Sequence, residues 1–554
     1  MSIRSLRETL KRHIGSKKEA VLFFVLAFFI FFGLFSFARI SLEKIWSWDI
    51  LSKGQISRIA EAPTIDYLFR AREIATPDAN TLSIKEPLFP DHVCSIADYG
   101  AIADGKTSNT EAFQQAIAAC AAAGGGQVIV PPGIWLTGPI RLQSNIELHV
   151  ERDAKILFST NAADYLPVVF SRFEGIEYYN YSPPIYAAGC TNVAVTGAGT
   201  LDGQGPILWW KMKDRATASI NALYAMGDDN IPLAERVFGT EAAGLRPAFI
   251  EFVHCSNVLV ENVRIVNGPM WTIHPLYSDH IIIRDVDIRT SPGPSTDGIV
   301  IDSASNVLIE NSTLDTGDDA IVLKSGRDKE GMRLHRPTEN VIIRNSIVNE
   351  AHGAIAIGSE VSGDVRNVFV SNIDVEEAQF GFRIKAPRGR GGIVENVWVE
   401  NMAIKHASIE AIQIATSYGM PFRIDSTTPP LFRNIHLKNI SAEKTSQAIS
   451  INGLPDLPVS DVSVEDIIFA TRLGIKLTHT DGIDFKNIHL TPKDNDPLFV
   501  IVNSSHINLN NTACTINIPI CLLLKDGIST DINIRDSGFE QARTKGLTDA
   551  TQER

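Results

Sequence analysis

A six-residue phrase that recurs along the chain constrains its fold more than any other feature: Asn257-Val-Leu-Val-Glu-Asn262, Asn306-Val-Leu-Ile-Glu-Asn311, Asn340-Val-Ile-Ile-Arg-Asn345, Asn367-Val-Phe-Val-Ser-Asn372 and Asn396-Val-Trp-Val-Glu-Asn401. Each copy alternates apolar and other side chains over four or five residues between turn-forming residues, the pattern of a short strand. The copies start mostly 23 to 38 residues apart, and degenerate versions follow at Asn434–Asn439, Val462–Asp466 and Phe485–Asn487. A period of that size specifies a solenoid. Helical repeats would need about ten or more residues at a period of about 3.6, which Val/Ile-rich pieces bracketed by Asn and Gly do not supply. The expected fold is therefore all-β, a right-handed single-stranded parallel β-helix with a continuous apolar interior. Asn at the corners suits it, because the side-chain amide can bond its counterpart one coil away and the backbone tolerates left-handed dihedrals.

An open solenoid end exposes unpaired strand edges and needs a cover. Ser108-Asn-Thr-Glu111 predicts a capping box ahead of an apolar face of Ala112, Phe113, Ala116, Ile117 and Cys120, with Gly124-Gly-Gly126 as the stop. This helix is assigned as the N-terminal cap of the solenoid.

Because each coil of a solenoid contacts only its neighbours, length does not fix the domain count. Charged residues at 21% and hydrophobic residues at 44% exclude wholesale disorder. Residues 20–38 carry no charge and follow Arg4, Arg7, Lys11, Arg12, Lys17 and Lys18. That run is long enough to span a bilayer, and the basic flank predicts a cytoplasmic N-terminus with everything after Arg39 exported. Ser36-Phe37-Ala38 also fits a signal-peptidase site, so a cleaved signal is the alternative to a retained anchor. The organisation read from the chain is a basic cytoplasmic leader (1–19), a transmembrane or signal-anchor helix (20–38), a connector (39–90), the β-helix (91–534) and a polar tail (535–554). The expected location is the cell envelope, membrane-anchored with a periplasmic domain, or secreted if the helix is removed. A monomer is expected.

Six cysteines, Cys94, Cys120, Cys190, Cys255, Cys514 and Cys521, fit an oxidising compartment and lack paired metal-ligand spacing. Cys514 with Cys521 and Cys94 with Cys120 are the expected bridges, with buried free thiols as the alternative. No basic stripe with interleaved aromatics points to nucleic acid.

The repeat allows positions to be compared coil to coil by counting from the second Asn of each phrase. Ile321 and Leu323, Ile355 and Ile357, and Phe382 and Ile384 then fall in one inward column, because strand residues alternate faces. Asp318 and His352 share a position one coil apart, Lys324 and Lys385 share another two coils apart, and Arg383 faces outward. Ile299 and Ile301 match the inward pair in the preceding coil, which puts Asp297 in the column of Asp319. Neighbouring strands lie about 4.8 Å apart, so Asp297, Asp318, Asp319, His352, Arg383 and Lys385 gather on one outer face.

Carboxylates packed this closely repel, so at least one should hold a proton near neutrality. Glycoside cleavage needs that pairing: an acid for the leaving oxygen and a base for water. Arg383 and Lys385 add fixed positive charge where a uronate carboxylate can dock, despite the net charge of −13. A lone Gly-Asp-Asp is more often a solvated turn than a site. Three Asp, a His and an Arg-x-Lys converging in one register are not explained as surface decoration.

At these residues the chain resembles the polygalacturonases of glycoside hydrolase family 28, their bacterial members in particular. The resemblance runs from about Cys94 to Asn439 and includes Asp98-Tyr-Gly-Ala-Ile-Ala-Asp-Gly-Lys-Thr107, Gly268–Pro275, Ser295-Thr-Asp-Gly298, Gly317-Asp-Asp-Ala320, His352-Gly353 and Arg383-Ile-Lys385. It implies a pectin-lyase-like β-helix and an inverting, single-displacement hydrolysis of α-1,4-galacturonosyl bonds with no metal or cofactor. It further implies that Asp318 is the general acid, that Asp297 and Asp319 position and deprotonate the water, that His352 maintains the protonation of the acid, and that Arg383 and Lys385 hold the substrate carboxylate. Two departures stand out: Ser295 where the family usually has Asn, and Val300 where many members carry another Asp, although Asp302 is kept. Altered substrate contact through Ser295 is expected, not lost catalysis. Trp271 and His274 are candidates for a sugar platform, with core packing the competing reading for Trp271. Lys324, Arg327, Arg388 and Arg390 are candidate subsite cations.

Two rivals share the fold. A pectate lyase would eliminate the uronate with calcium and would need its carboxylates arranged as a metal site; a non-catalytic wall-binding β-helix would carry the aspartates incidentally. A rhamnogalacturonan-type hydrolase is the alternative on the substrate side. Residues 203–245, with Trp209-Trp210, form a long insertion between coils. A wall there predicts exo action.

Overall fold

The computed structural model describes residues 84–418, 428–513, 520–525, 528–537 and 544–545. Strands of successive coils pair in parallel from Val93–Ser95 to Thr544–Lys545, and the one antiparallel pair among named strands is the hairpin Val169–Phe173 with Ile176–Asn180. This is a parallel β-helix. Between Thr338 and Thr478 whole coils read as continuous bent strands of 20 to 23 residues.

The alternation seen in the sequence explains the interior. Ile299, Ile321, Ile355, Phe382, Ile412, Ile449, Ile475 and Phe499 occupy one register position in successive coils, and all are buried. Each such side chain contributes about 1.5–3 kcal/mol by leaving water, and each copy of the repeat adds one layer to every column.

The corners are built as the recurrent Asn predicts. Asn257, Asn306, Asn340, Asn367, Asn396 and Asn434 all have φ between 53° and 57°. Their amides form a ladder: Asn340 donates to Asn306 at 3.1 Å, Asn367 to Asn340 at 3.0 Å, Asn396 to Asn367 at 3.0 Å and Asn434 to Asn396 at 2.6 Å. A second ladder runs through Asn345, Asn372, Asn401 and Asn439. Asn serves both needs, since it visits the left-handed region at low cost and carries donor and acceptor on one short arm.

The cap is the helix Thr110–Ala122, which buries Ala112, Phe113, Ala116, Ile117 and Cys120 against the first coils. The expected capping box does not form. Asn109 is the N-cap residue, and its amide bonds the main chain at Ile102, Thr107 and Leu136, tying the helix to the sheet instead of closing its own first turn. Cys94 and Cys120 are free thiols, which corrects the bridge expected between them; burial, helped by the adjacent Cys94, pushes the Cys120 thiol up to about 12. Cys190 and Cys255 are also free, Cys521 is disulfide-bonded, and Cys514 lies outside the described residues. The segment 20–38 likewise lies outside them. Among the described residues no helix is long and apolar enough to cross a membrane.

The insertion, and a hairpin that precedes it, depart from the plain coil. The hairpin Val169–Asn180 and the helix Thr217–Asp228 lay Phe173, Ile176, Tyr178 and Leu223 over Trp271, Val300, Val322 and Ala356. Val322, Ala356 and Arg383 share one outward column, with Val300 preceding them. The wall therefore covers that column up to the coil before Arg383. Val300 has no exposed surface; an Asp there would be stripped of water under an apolar lid, which accounts for the Val.

Candidate active site

Asp297, Asp318 and Asp319 each present a carboxylate oxygen within 4.8 Å of the other two. The backbone register that brings them together is the one counted from the repeat: Gly298 N–H donates to Asp319 O at 3.0 Å, and His352 N–H donates to Asp318 O at 3.0 Å. Asp297 and Asp319 are 3% and 1% exposed, whereas Asp318 is only partly buried and is the member open to an incoming ligand.

Each carboxylate has its own surroundings. Asp318 Oδ1 accepts from the Asp319 N–H at 3.0 Å. Asp319 Oδ2 accepts from Lys385 Nζ at 2.7 Å, while its Oδ1 is buried and makes no hydrogen bond among the described residues. That oxygen is a buried acceptor left unsatisfied by the protein. Gly353 is required beside it, because a Cβ there would lie 2.6 Å from Asp319 Oδ1 and 3.1 Å from Arg383 Cδ.

The charges sort the trio. Burial, then the Asp318 charge, raises the Asp297 carboxyl well above the ordinary carboxylate range. Burial alone would raise Asp319 too, but Lys385, Arg383 and His352 outweigh it and hold that carboxyl below its usual value. The cluster thus keeps a proton on the Asp297 side and a ready base at Asp319. Burial, with Arg383, lowers His352, so the imidazole is neutral near neutrality. Its Nε2 sits 2.7 Å from Arg383 Nη1; a guanidinium only donates, so Nε2 accepts and the ring proton is on Nδ1.

The raised Asp297 carboxyl carries a stability consequence. Between the ordinary value of 3.8 and the native one, the folded chain holds a proton the unfolded chain has released. Stability therefore falls as pH rises through that window. Asp297→Asn should raise Tm by a few degrees at about pH 7 and by nothing near pH 3.5, as scanning calorimetry at the two values would read; an equal shift at both would refute the charge explanation.

Arg383 and Lys385 face outward as expected but are far from open, at 2% and 6% exposure. Arg383 lies 3.8 Å over the Phe380 ring and 5.5 Å over Tyr418, and donates Nη2 to Gln413 at 2.9 Å. Gln413 donates in turn to Glu410. Ser295 is half-buried, two residues before Asp297, with φ of 53°.

Three expectations need correction. His274 has no exposed surface, so it offers no face to a sugar; it lies 2.9 Å from Glu251 and 3.6 Å from Asp302, both also fully buried. These approaches are ionic contacts without hydrogen-bond alignment. Burial would deprotonate His274, but the two carboxylates win and raise it. Trp271, 3% exposed, packs in the wall with His274 against its edge and Lys324 over its ring at 5.2 Å. The candidate subsite cations are already engaged: Lys324 with Glu360 at 2.8 Å, Arg327 with Glu360 and Glu174, Arg390 with Asp328, and Arg388 with Asp456. Counting along the repeat could not foresee this, because the partners Glu174, Glu251, Asp328, Glu360 and Asp456 come from the hairpin, an earlier coil and segments between the repeat strands, outside the repeating phrase.

Comparison with known proteins agrees with the geometry. The family model described as "Glycosyl hydrolases family 28" matches residues 239–487, which include every residue of the cluster. A "Probable polygalacturonase" from Vitis vinifera is 31% identical over 71% of this chain and 78% of its own length. An "Exo-poly-alpha-D-galacturonosidase" from Dickeya chrysanthemi is 26% identical over 70% of this chain and 69% of its own. The crystal structure of a hyperthermoactive exopolygalacturonase from Thermotoga maritima is 38% identical, superposes with a TM-score of 0.68, and is matched over 74% of this chain and 94% of its own. On the identity and coverage of these relatives and the carboxylate cluster within the matched region, the chain belongs to glycosyl hydrolase family 28.

Proposed function

We propose that this protein is a polygalacturonase that hydrolyses α-1,4-galacturonosyl bonds, removing units from the end of polygalacturonate or its oligomers. The observation that carries this reading is the trio of carboxylate oxygens within 4.8 Å, beside the buried Arg383 and Lys385. When substrate enters, the proton of the trio passes from Asp297 to Asp318, the open member, which gives it to the leaving oxygen; Asp297, now a carboxylate, and Asp319 hold and deprotonate the water; neutral His352 and Arg383 fix the electrostatics around Asp319. Exo action is supported by the hairpin and helix that roof the column ahead of Arg383, and by relatives whose names carry exo action. The basic leader and apolar run of residues 20–38 support an exported, envelope-tethered enzyme.

Digestion of defined galacturonate oligomers by the full chain tests this. The expected products are one terminal unit per turnover with inverted anomeric configuration. Retention would remove the single-displacement mechanism. That test matters, because oxygens this close are tighter than the roughly 6.5–9.5 Å carboxyl spacing of most inverting glycosidases. A scatter of internal lengths would remove exo action, and turnover of rhamnogalacturonan in preference to galacturonan would redirect the substrate.

Three clustered carboxylates also meet the first requirement of a calcium site, so a lyase needs its own test. Lys385 already places an ammonium on Asp319. Turnover should change by less than about twofold on adding excess chelator, with no unsaturated uronate absorbing in the ultraviolet; loss of activity restored by calcium would favour elimination.

A further inference from the structure

Buried cations in this fold come with their own carboxylates: Arg172 with Asp302, Arg236 with Glu330, Lys324 with Glu360, Lys385 with Asp319 and Arg390 with Asp328. Among the described residues two buried cations have no ion-pair partner, Arg383 and Arg246, and both lie beside the aspartate trio. A desolvated guanidinium without a counter-charge is costly, and the cost is relieved by a ligand that brings a carboxylate.

Arg246 is held in place but not used up. Its Nη1 donates to the carbonyls of Pro269 at 3.0 Å and Pro294 at 2.6 Å, which orients the guanidinium plane. Nε and Nη2 make no hydrogen bond among the described residues and are not enclosed. The charged groups that face it are Glu174, Asp297 and Asp318, with the Tyr178 hydroxyl nearby. Glu174 is taken by the Tyr224 hydroxyl and by Arg327 at 3.6 Å. Burial pushes the Arg246 guanidinium down to about 10, as expected of a cation awaiting an anion.

Its place along the solenoid decides what that anion is. Pro269 and Pro294 belong to the coils leading into Asp297, on the side roofed by the wall, whereas Arg383 and Lys385 project from a coil beyond Asp318 and Asp319. The aspartates lie between the two cationic positions. We propose that Arg246 receives the carboxylate of the terminal uronate in the walled end of the cleft, across the cleaved bond from Arg383 and Lys385. It thereby selects acidic over neutral or esterified terminal units. This rests on the endwise galacturonan hydrolysis proposed above.

The test is the ratio of kcat/KM for trigalacturonate with a free terminal carboxylate to that for the same trimer methyl-esterified on the terminal unit, in the wild type, Arg246→Gln and Arg246→Lys. A charge-assisted pair to a carboxylate corresponds to a preference of about 10- to 100-fold. The wild type should show that preference, Arg246→Gln should bring the ratio near unity, and Arg246→Lys should recover part of it. General damage to the fold would lower both rates and leave the ratio alone. If Arg246→Gln does not fold, Arg246→Lys alone gives the answer: its ratio should fall about threefold or more below that of the wild type, and an unchanged ratio overturns the proposal. Failure of the wild type to release galacturonate from the acidic trimer removes endwise hydrolysis and this inference with it. Normal wild-type turnover with a ratio that Arg246→Gln leaves unchanged overturns the assignment of Arg246 alone.

Discussion

Asp318→Asn will lower kcat on galacturonate oligomers by about a thousandfold while the protein stays folded and still binds substrate. The Asn keeps the shape, and its side-chain oxygen can still accept from the Asp319 N–H that holds Asp318 Oδ1 at 3.0 Å. What is lost is the ability to give up a proton to the leaving oxygen. The resting trio stores its proton by preference on Asp297, which is more buried, but oxygens within 4.8 Å titrate as one unit. The open member is the one an entering glycosidic oxygen can meet. A leaving group that needs no proton separates the roles: Asp318→Asn should hydrolyse α-galacturonosyl fluoride within about tenfold of the wild type. Asp297→Asn and Asp319→Asn, which remove the groups that activate water, should stay slow on it. Full activity of Asp318→Asn on natural oligomers would place the acid elsewhere.

The second large effect is on stability. Arg172→Met will cost about 3–5 kcal/mol, because removing one partner of a buried ion network strands the others. Arg172 reaches from the hairpin to Asp302 at 3.0 Å and to Ser303 at 2.8 Å, and with His274 it balances Asp302 and Glu251 in a group with almost no exposed surface. Burial alone would raise Asp302, and Arg172 is the foremost group holding its carboxyl below 3.8. Stability from that depressed carboxyl is present above 3.8 and lost as pH falls through the native value. In Arg172→Met the carboxyl rises instead, so the gap from the wild type should be widest near neutrality and narrow toward pH 4. Chemical denaturation at several pH values reads this, and a loss below about 1 kcal/mol at neutral pH would mean that the network is not the clasp it looks to be. Since this clasp pins the wall, the variant should also release longer products.

How far the repeat could be read shows in particular residues. Asp318 with His352, Asp297 with Asp319, and the inward Ile321, Ile355 and Phe382 all took their register from counting. Counting worked because neighbouring coils share one backbone conformation per position. It worked less well for surroundings. Lys324 looked like a subsite cation and Trp271 like a platform, yet both lie under the wall, Lys324 against Glu360 and Trp271 beside His274. Arg246 carried no signal at all, since it stands between the insertion and the next coil strand, outside the repeating phrase, with no counterpart in other coils to compare.

The sequence by itself determined the solenoid, its Asn-cornered coils and the convergence of three aspartates, because a strand period and a repeated corner are local properties that each coil satisfies against the next. Only the tertiary structure decided which charges are free to meet a substrate. A hairpin and the helix of the insertion fold back over one face, and among the described residues five buried cations find carboxylates on neighbouring segments while Arg383 and Arg246 are left unpaired. Burial and pairing of that kind depend on contacts between distant segments, which no periodicity encodes.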